Sequence, residues 1–158
     1  MRKRFDAQLQ LGQTPIGEVA IPSKSRDELP PVLAGLQWIF KTPELNEEVF
    51  ALLEAKVSGG REHHGTGRPG MDLWHILVLG VVRAALGCDY DRLEHTANYD
   101  TLVRRVMGLP EFGGEDAPLN GRTVRDNVAQ VDEELLAEVN AAVARHGLAL
   151  LKKTPRRS

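Results

Sequence analysis

Residues 73–86 read LWHILVLGVVRAAL, a stretch apolar almost all the way round and broken chiefly by His75 and Arg83. A helix with one wet side shows a single apolar stripe, whereas one that is apolar on every side belongs at the centre of a bundle. Asp72 stands where an N-cap is wanted and Gly87 where a helix commonly ends in the left-handed conformation. This stretch sets the expected fold class, an all-α multi-helix bundle with helix-turn-helix-like elements.

Reading toward the C-terminus, Asp89 suits the cap of a short helix through about Asn98, and TLVRRVM forms another before Gly108 and Pro110. A loop rich in Gly, Pro and acids, residues 111–121, precedes TVRDNVAQV. Asp132 then caps EELLAEVNAAVARH, a helix with acids in front, Arg145 and His146 behind, and Gly147 as the expected C-cap. Residues 71–147 read as one helical domain and 148–158 as a basic tail.

Toward the N-terminus, residues 58–70, SGGREHHGTGRPG, hold too much glycine to pack as an element and read as a linker. Before it, residues 27–57 read as a helical hairpin. Leu29, Val32, Leu33, Leu36, Ile39 and Phe40 recur at helical spacing in the first helix. Thr42 as N-cap and Pro43 at the first position open the second, whose stripe is Leu45, Val49, Leu52 and Leu53. Residues 1–26 mix Gly12, Pro15, Gly17 and Pro22 with isolated apolar residues and read as an extended arm suited to lying along another surface.

Composition agrees with this picture. Apolar residues make up 42% of the 158 and aromatic residues only 5%, so the core is drawn mostly from Leu, Val and Ala, a palette for packed helices. Cys88, the only cysteine, excludes an internal disulfide and fits a reducing, cytoplasmic setting. The basic start MRKRFDAQLQLG has no apolar run behind it. The most apolar stretch, Ile76 to Val82, falls short of the roughly 18 residues that span a membrane, so no membrane partner is expected.

The net charge of −2 is unevenly spread: residues 1–26 carry +3, residues 145–158 carry +5, and the middle carries −10. Basic ends of this kind contact phosphates, or simply solubilise the chain; Lys152, Lys153, Arg156 and Arg157 are the tail residues concerned. Residues 86–99 have the helix, short turn, helix shape of a helix-turn-helix. Packing hairpins share that shape, and Asp91 and Glu94 beside Arg92 and His95 would partly repel phosphates.

A better reading helix spans Asn120 to Gln130. It gathers Arg122, Thr123, Arg125, Asn127 and Gln130, where an arginine forks guanine and Asn or Gln pairs with adenine; the same residues also suit a solvated face beside Val124, Val128 and Val131. Arg104 and Arg105 suit phosphate clamping, or pairing with nearby acids. Glu62, His63 and His64 with His75, His95 and Cys88 lack the helical HExxH spacing, so no metal is expected. Neither GxSxG nor GxxxxGK[ST] occurs, and no carboxylate pair stands out as catalytic.

Taken as an ordered whole, residues 67–109, GRPGMDLWHILVLGVVRAALGCDYDRLEHTANYDTLVRRVMGL, resemble the N-terminal domain of bacterial insertion-sequence transposases of the DDE type. The resemblance lies in a Gly-Arg-Pro opening, a long apolar helix, a short helix with Leu-Glu, then Asn and an Arg-rich turn ending in Met-Gly. LNGRTVRDNVAQVDEELLAEVNAAVARHG, residues 119–147, is similar to the part leading toward the catalytic domain, and RKRFDAQLQLG with KSRDELPPVLAGLQ is similar to starts in one branch.

The resemblance implies binding to double-stranded DNA at the terminal inverted repeats of a mobile element, as a multimer, with Arg68 of the Gly-Arg-Pro opening among the contacts. Such transposases cut DNA with an RNase-H-like domain whose Asp, Asp and Glu hold two metals. No such triad is assignable here, so the expectation is the DNA-binding portion without its nuclease, not an enzyme and with no cofactor. The competing expectation is a helical interaction module that regulates a full-length transposase through mixed multimers.

Overall fold

The computed structural model describes residues 4–5, 14–22, 28–57, 71–109 and 119–153. A 3-10 turn at Ile16–Glu18 is followed by α1 (Leu29–Lys41), α2 (Pro43–Val57), α3 (Leu73–Leu86), α4 (Tyr90–Tyr99), α5 (Thr101–Met107), α6 (Gly121–Val128) and α7 (Glu133–Lys153). No strand occurs among the described residues, so the fold class is all-α, a multi-helix bundle.

The apolar helix α3 occupies the centre, touching α1, α2, α4, α5 and α6. Leu73, Trp74, Ile76, Leu77, Val78, Leu79, Gly80 and Val82 are all buried, which is what a helix without a polar side requires. Its two polar side chains near the start find partners on α5: Trp74 Nε1 donates to the Val106 carbonyl at 2.8 Å, and His75 Nε2 lies 2.9 Å from the Met107 carbonyl. Gly80 is needed for close approach, because a β-carbon there would sit 2.8 Å from Val131 Cγ1 in the turn before α7.

Caps account for most helix starts. Asp89, Asp100, Asn120 and Asp132 each accept a backbone N–H from the turn that follows, namely from Arg92, Val103, Arg122 and Leu135. Asp132 also meets Lys56 at 2.9 Å, and that ammonium, with the Leu135 N–H, holds its carboxyl below the usual range. Gly87 and Gly108 close α3 and α5 with φ of 59° and 78°, where an L side chain would be strained.

Three caps differ from expectation. Asp72 makes no capping side-chain bond; the Trp74 N–H instead donates to the Arg4 carbonyl at 2.9 Å, so the arm's backbone satisfies it. Thr42 does stand at the start of α2, its carbonyl accepting the Asn46 N–H at 2.7 Å, but its hydroxyl turns back to the Trp38 carbonyl at 2.7 Å and so closes α1 instead of capping α2. Gly147 does not end α7, which continues to Lys153. A mid-helix glycine costs only about 0.5–1 kcal/mol, too little to stop a helix of this length.

The hairpin α1–α2 shares one core with the rest, since α2 lies along α7 and α1 packs on α3 and α5. The described pieces of the arm also face inward. Phe5 meets Phe40 and His75 edge-on at 5.6 and 5.9 Å, Ile16 and Val19 are buried, and Gln37 Nε2 donates to both of their carbonyls at 2.9 and 2.8 Å. These described pieces thus lie along the chain's own core.

Candidate nucleic-acid interface

α6 is a short helix whose inner side is set by Val124 and Val128, packed against α3 and α4. Its position is held from α4. Asn98, buried in the last turn of α4, accepts the Leu119 N–H at 2.8 Å and donates to the Leu119 carbonyl at 3.1 Å, clasping the chain one residue before the Asn120 cap. The Glu94 carboxylate presses on Gly121 so closely that a β-carbon there would collide with it. A negative group at that end complements the exposed N–H dipoles of α6.

With α6 held in this way, Arg122, Thr123, Arg125 and Asp126 are exposed. Arg122 extends into solvent and stands 4.0 Å from Asp126 one turn on, a weak surface pair. Arg125 lies against Tyr90 at the start of α4, its Cζ 5.7 Å from the ring centroid, and Arg83 from the last turn of α3 lies over the same ring at 4.3 Å. Both distances are within cation–π range.

Two of the expected contacts are corrected. Arg104 is 3% exposed and donates from Nη1 to the Ala97 carbonyl at 3.0 Å, so it braces α4 against α5 instead of clamping phosphate. Burial pushes its guanidinium below the usual value. It precedes Met107 by three residues and so shares that residue's inward side, while its neighbour Arg105 is exposed.

Asn127 is 9% exposed and donates to the Thr123 carbonyl at 2.7 Å, which takes it off the surface that could meet a base. Its spacing of three from Val124 and four from Val131 already put it on the apolar side. Gln130, half-buried beyond the end of α6, lies 3.4 Å from the Asn127 carbonyl. Of the five expected readers, the fold therefore brings Arg122, Thr123 and Arg125 together at the surface.

Lys152 and Lys153 fall within α7. Arg68, Arg156 and Arg157 lie outside the described residues, as do Glu62, His63 and His64. Among the described residues no group of three His, Cys, Asp or Glu is placed to hold a metal, and no helix is long and apolar enough to cross a membrane. The expectation that no dinucleotide motif occurs is corrected by the sequence itself, since GTGRPG, residues 65–70, has the glycine spacing GxGxxG. That pattern acts between a strand and a helix, whereas here the flanking elements are α2 and α3.

Elsewhere several basic groups are matched by acids. Arg4 forks Glu47 and Glu54 of α2, contacts that raise its own value and, through Arg4, lower that of Glu47. Arg145 reaches Glu48 at 2.6 Å, with His146 3.6 Å from the same carboxylate. Sequence reasoning missed Arg83, Tyr90, Glu94 and Asn98. The signal for Arg83 was its place as the only formally charged residue in an otherwise apolar helix.

No family model, curated protein or solved structure matches the chain.

Proposed function

We propose that this chain binds double-stranded DNA at the terminal inverted repeats of an insertion sequence, as the DNA-binding portion of a transposase and as a multimer. The observation that carries the reading is the exposed side of α6, where Arg122, Thr123 and Arg125 project from a helix clasped in place by Asn98. Arginine on a rigidly held helix offers the fork geometry that guanine edges and phosphates accept. The turn between α3 and α4 supports a helix-turn-helix role, with α6 as a further helix backed by both.

Fluorescence anisotropy with an element-end duplex and a shuffled duplex of equal length tests this. Wild-type protein prefers the element end, and Arg122→Ala costs about 1–3 kcal/mol on that duplex and much less on the shuffled one. Equal binding to both duplexes by the wild type would remove the sequence-specific role.

A second reading, a helical module that joins mixed multimers with a full-length transposase, is favoured by a cleft of about 340 Å³ between the start of α1 and α4–α5. Leu29, Leu33, Leu86 and Leu102 line it with Glu28, Arg92 and Asp100, a mixture suited to an amphipathic segment. Co-elution with a full-length transposase, abolished by Leu102→Lys in a folded variant, is the outcome this reading requires.

A further inference from the structure

In this acidic chain Arg4 and Arg145 each meet a carboxylate. Arg83 and Arg125 do not. Among the described residues neither guanidinium forms an ion pair or a hydrogen bond, and the Arg83 Nε–H is shut from solvent with no acceptor. Both guanidiniums instead lie against one ring, Tyr90, at 4.3 and 5.7 Å from its centroid, which puts the two Cζ atoms no more than 10.0 Å apart.

Three helices contribute to this group: the last turn of α3, the first residue of α4 and the middle of α6. Its geometry depends on the tertiary fold. An aromatic face restricts a guanidinium to a few orientations while leaving its donors unused, so less freedom is surrendered when an anion arrives. Two charges without counter-ions among the described residues, held by one ring, suit tetrahedral oxyanions, and guanidinium is the group that binds phosphate oxygens in bidentate fashion.

We infer that Arg83, Tyr90 and Arg125 form a phosphodiester-binding site that grips the DNA backbone. This rests on the DNA-binding reading and adds to it: Arg125 grips phosphate beside the surface offered by Arg122 and Thr123, and Arg83 meets DNA although it belongs to the central helix. Phosphate contacts carry no sequence information, so this site sets affinity and register for any duplex.

The test compares Arg83→Gln, Arg125→Gln, Tyr90→Phe and Tyr90→Leu with wild type and with Lys41→Gln, which removes one charge elsewhere. Anisotropy is measured on element-end and shuffled duplexes from low to moderate NaCl, with folding checked by circular dichroism and Arg83→Lys as a second, charge-keeping variant. Each Gln variant should weaken binding to both duplexes by the same factor and flatten the log–log salt dependence by about 0.9, the share of one phosphate that is no longer neutralised. Tyr90→Phe should bind as wild type, Tyr90→Leu should lie between wild type and the Gln variants, and Lys41→Gln should keep the full slope.

If wild-type protein binds duplex but Arg83→Gln and Arg125→Gln keep its affinity and slope, the site is overturned while the DNA-binding reading survives. An effect on the element end alone would make Arg125 a base contact and also overturn the site. Titration of inorganic phosphate, read at the arginine Nε–Hε resonances, separates the sources. Shifts at Arg83 and Arg125 in a protein that binds no duplex overturn the backbone assignment and leave free phosphate as the ligand; neither shifts nor duplex binding ends both readings.

Discussion

The flank built from α2 and α7 and the flank built from α3, α4 and α6 both carry arginines, but they treat them differently. Along α2, Arg4, Lys56 and Arg145 come from the arm, from α2 itself and from α7, and all meet acids: Glu47 and Glu54, Asp132, and Glu48. Around Tyr90, Arg83 and Arg125 meet an aromatic ring and, among the described residues, no carboxylate. Counting charge along the chain assigns positive ends and an acidic middle. Pairing in three dimensions reverses part of that map, since Arg4 and Arg145 toward the ends are neutralised while two arginines of the middle are not. A candidate anion surface is therefore located by unmatched charge rather than by local excess.

The largest expected effect sharpens this contrast by releasing one flank alone. Asn98→Ala leaves the Leu119 N–H and carbonyl without partners, at about 1–3 kcal/mol for each group that water does not reach. Hydrogen exchange should speed up in α6 well before α7; an equal drop of protection in both would mean that the clasp does not hold α6 separately.

Next in size is Arg104→Ala, which strands the Ala97 carbonyl and should cost about 1–3 kcal/mol in denaturant unfolding. Because Arg104 is buried, the salt slope of DNA binding should stay at the wild-type value. A flattened slope in a fully folded variant would restore it as a phosphate contact.

A smaller effect comes from pH. Burial holds the His75 imidazole below its ordinary value of 6.5, only partly opposed by Asp72 and the Met107 carbonyl. The folded state thus resists the proton that the unfolded chain accepts. The contribution is fully present above about pH 6.5 and falls as pH drops toward the folded value, with a slope of at most about 1.4 kcal/mol per pH unit for one site. His75→Gln should flatten that limb of the stability profile; an unchanged limb would assign the acid sensitivity to other groups.

The smallest effect belongs to the neutralised flank. Arg145→Gln removes an exposed pair with Glu48 and should cost about 0.2–1 kcal/mol, less at high salt. If it reduced duplex binding as much as Arg125→Gln does, the division between matched and unmatched arginines would fail.

Much of the fold is legible in local sequence. The all-round apolar character of residues 73–86 places α3 at the centre, and Asp89, Asp100, Asn120 and Asp132 begin helices because a short acceptor side chain there satisfies N–H groups that no preceding turn can reach. Gly87 and Gly108 end theirs for an equally local reason, a positive φ. These are properties of a few neighbouring residues. The inward position of Asn127 is also present in its spacing from Val124, and is easily overlooked because its amide suits a base edge.

Other features depend on residues far apart in the chain. The Trp74 N–H is satisfied by Arg4, Gly80 faces Val131, Asn98 holds Leu119, and Tyr90 gathers Arg83 and Arg125. No periodicity shows such pairs, because each arises only where two helices meet at a given distance and rotation. Composition and spacing thus determined which segments become helices and which of their sides turn inward. Packing alone decided which of the described arginines are neutralised and which remain unmatched, because the electrostatic state of a side chain depends on the groups brought beside it and on the water removed from around it.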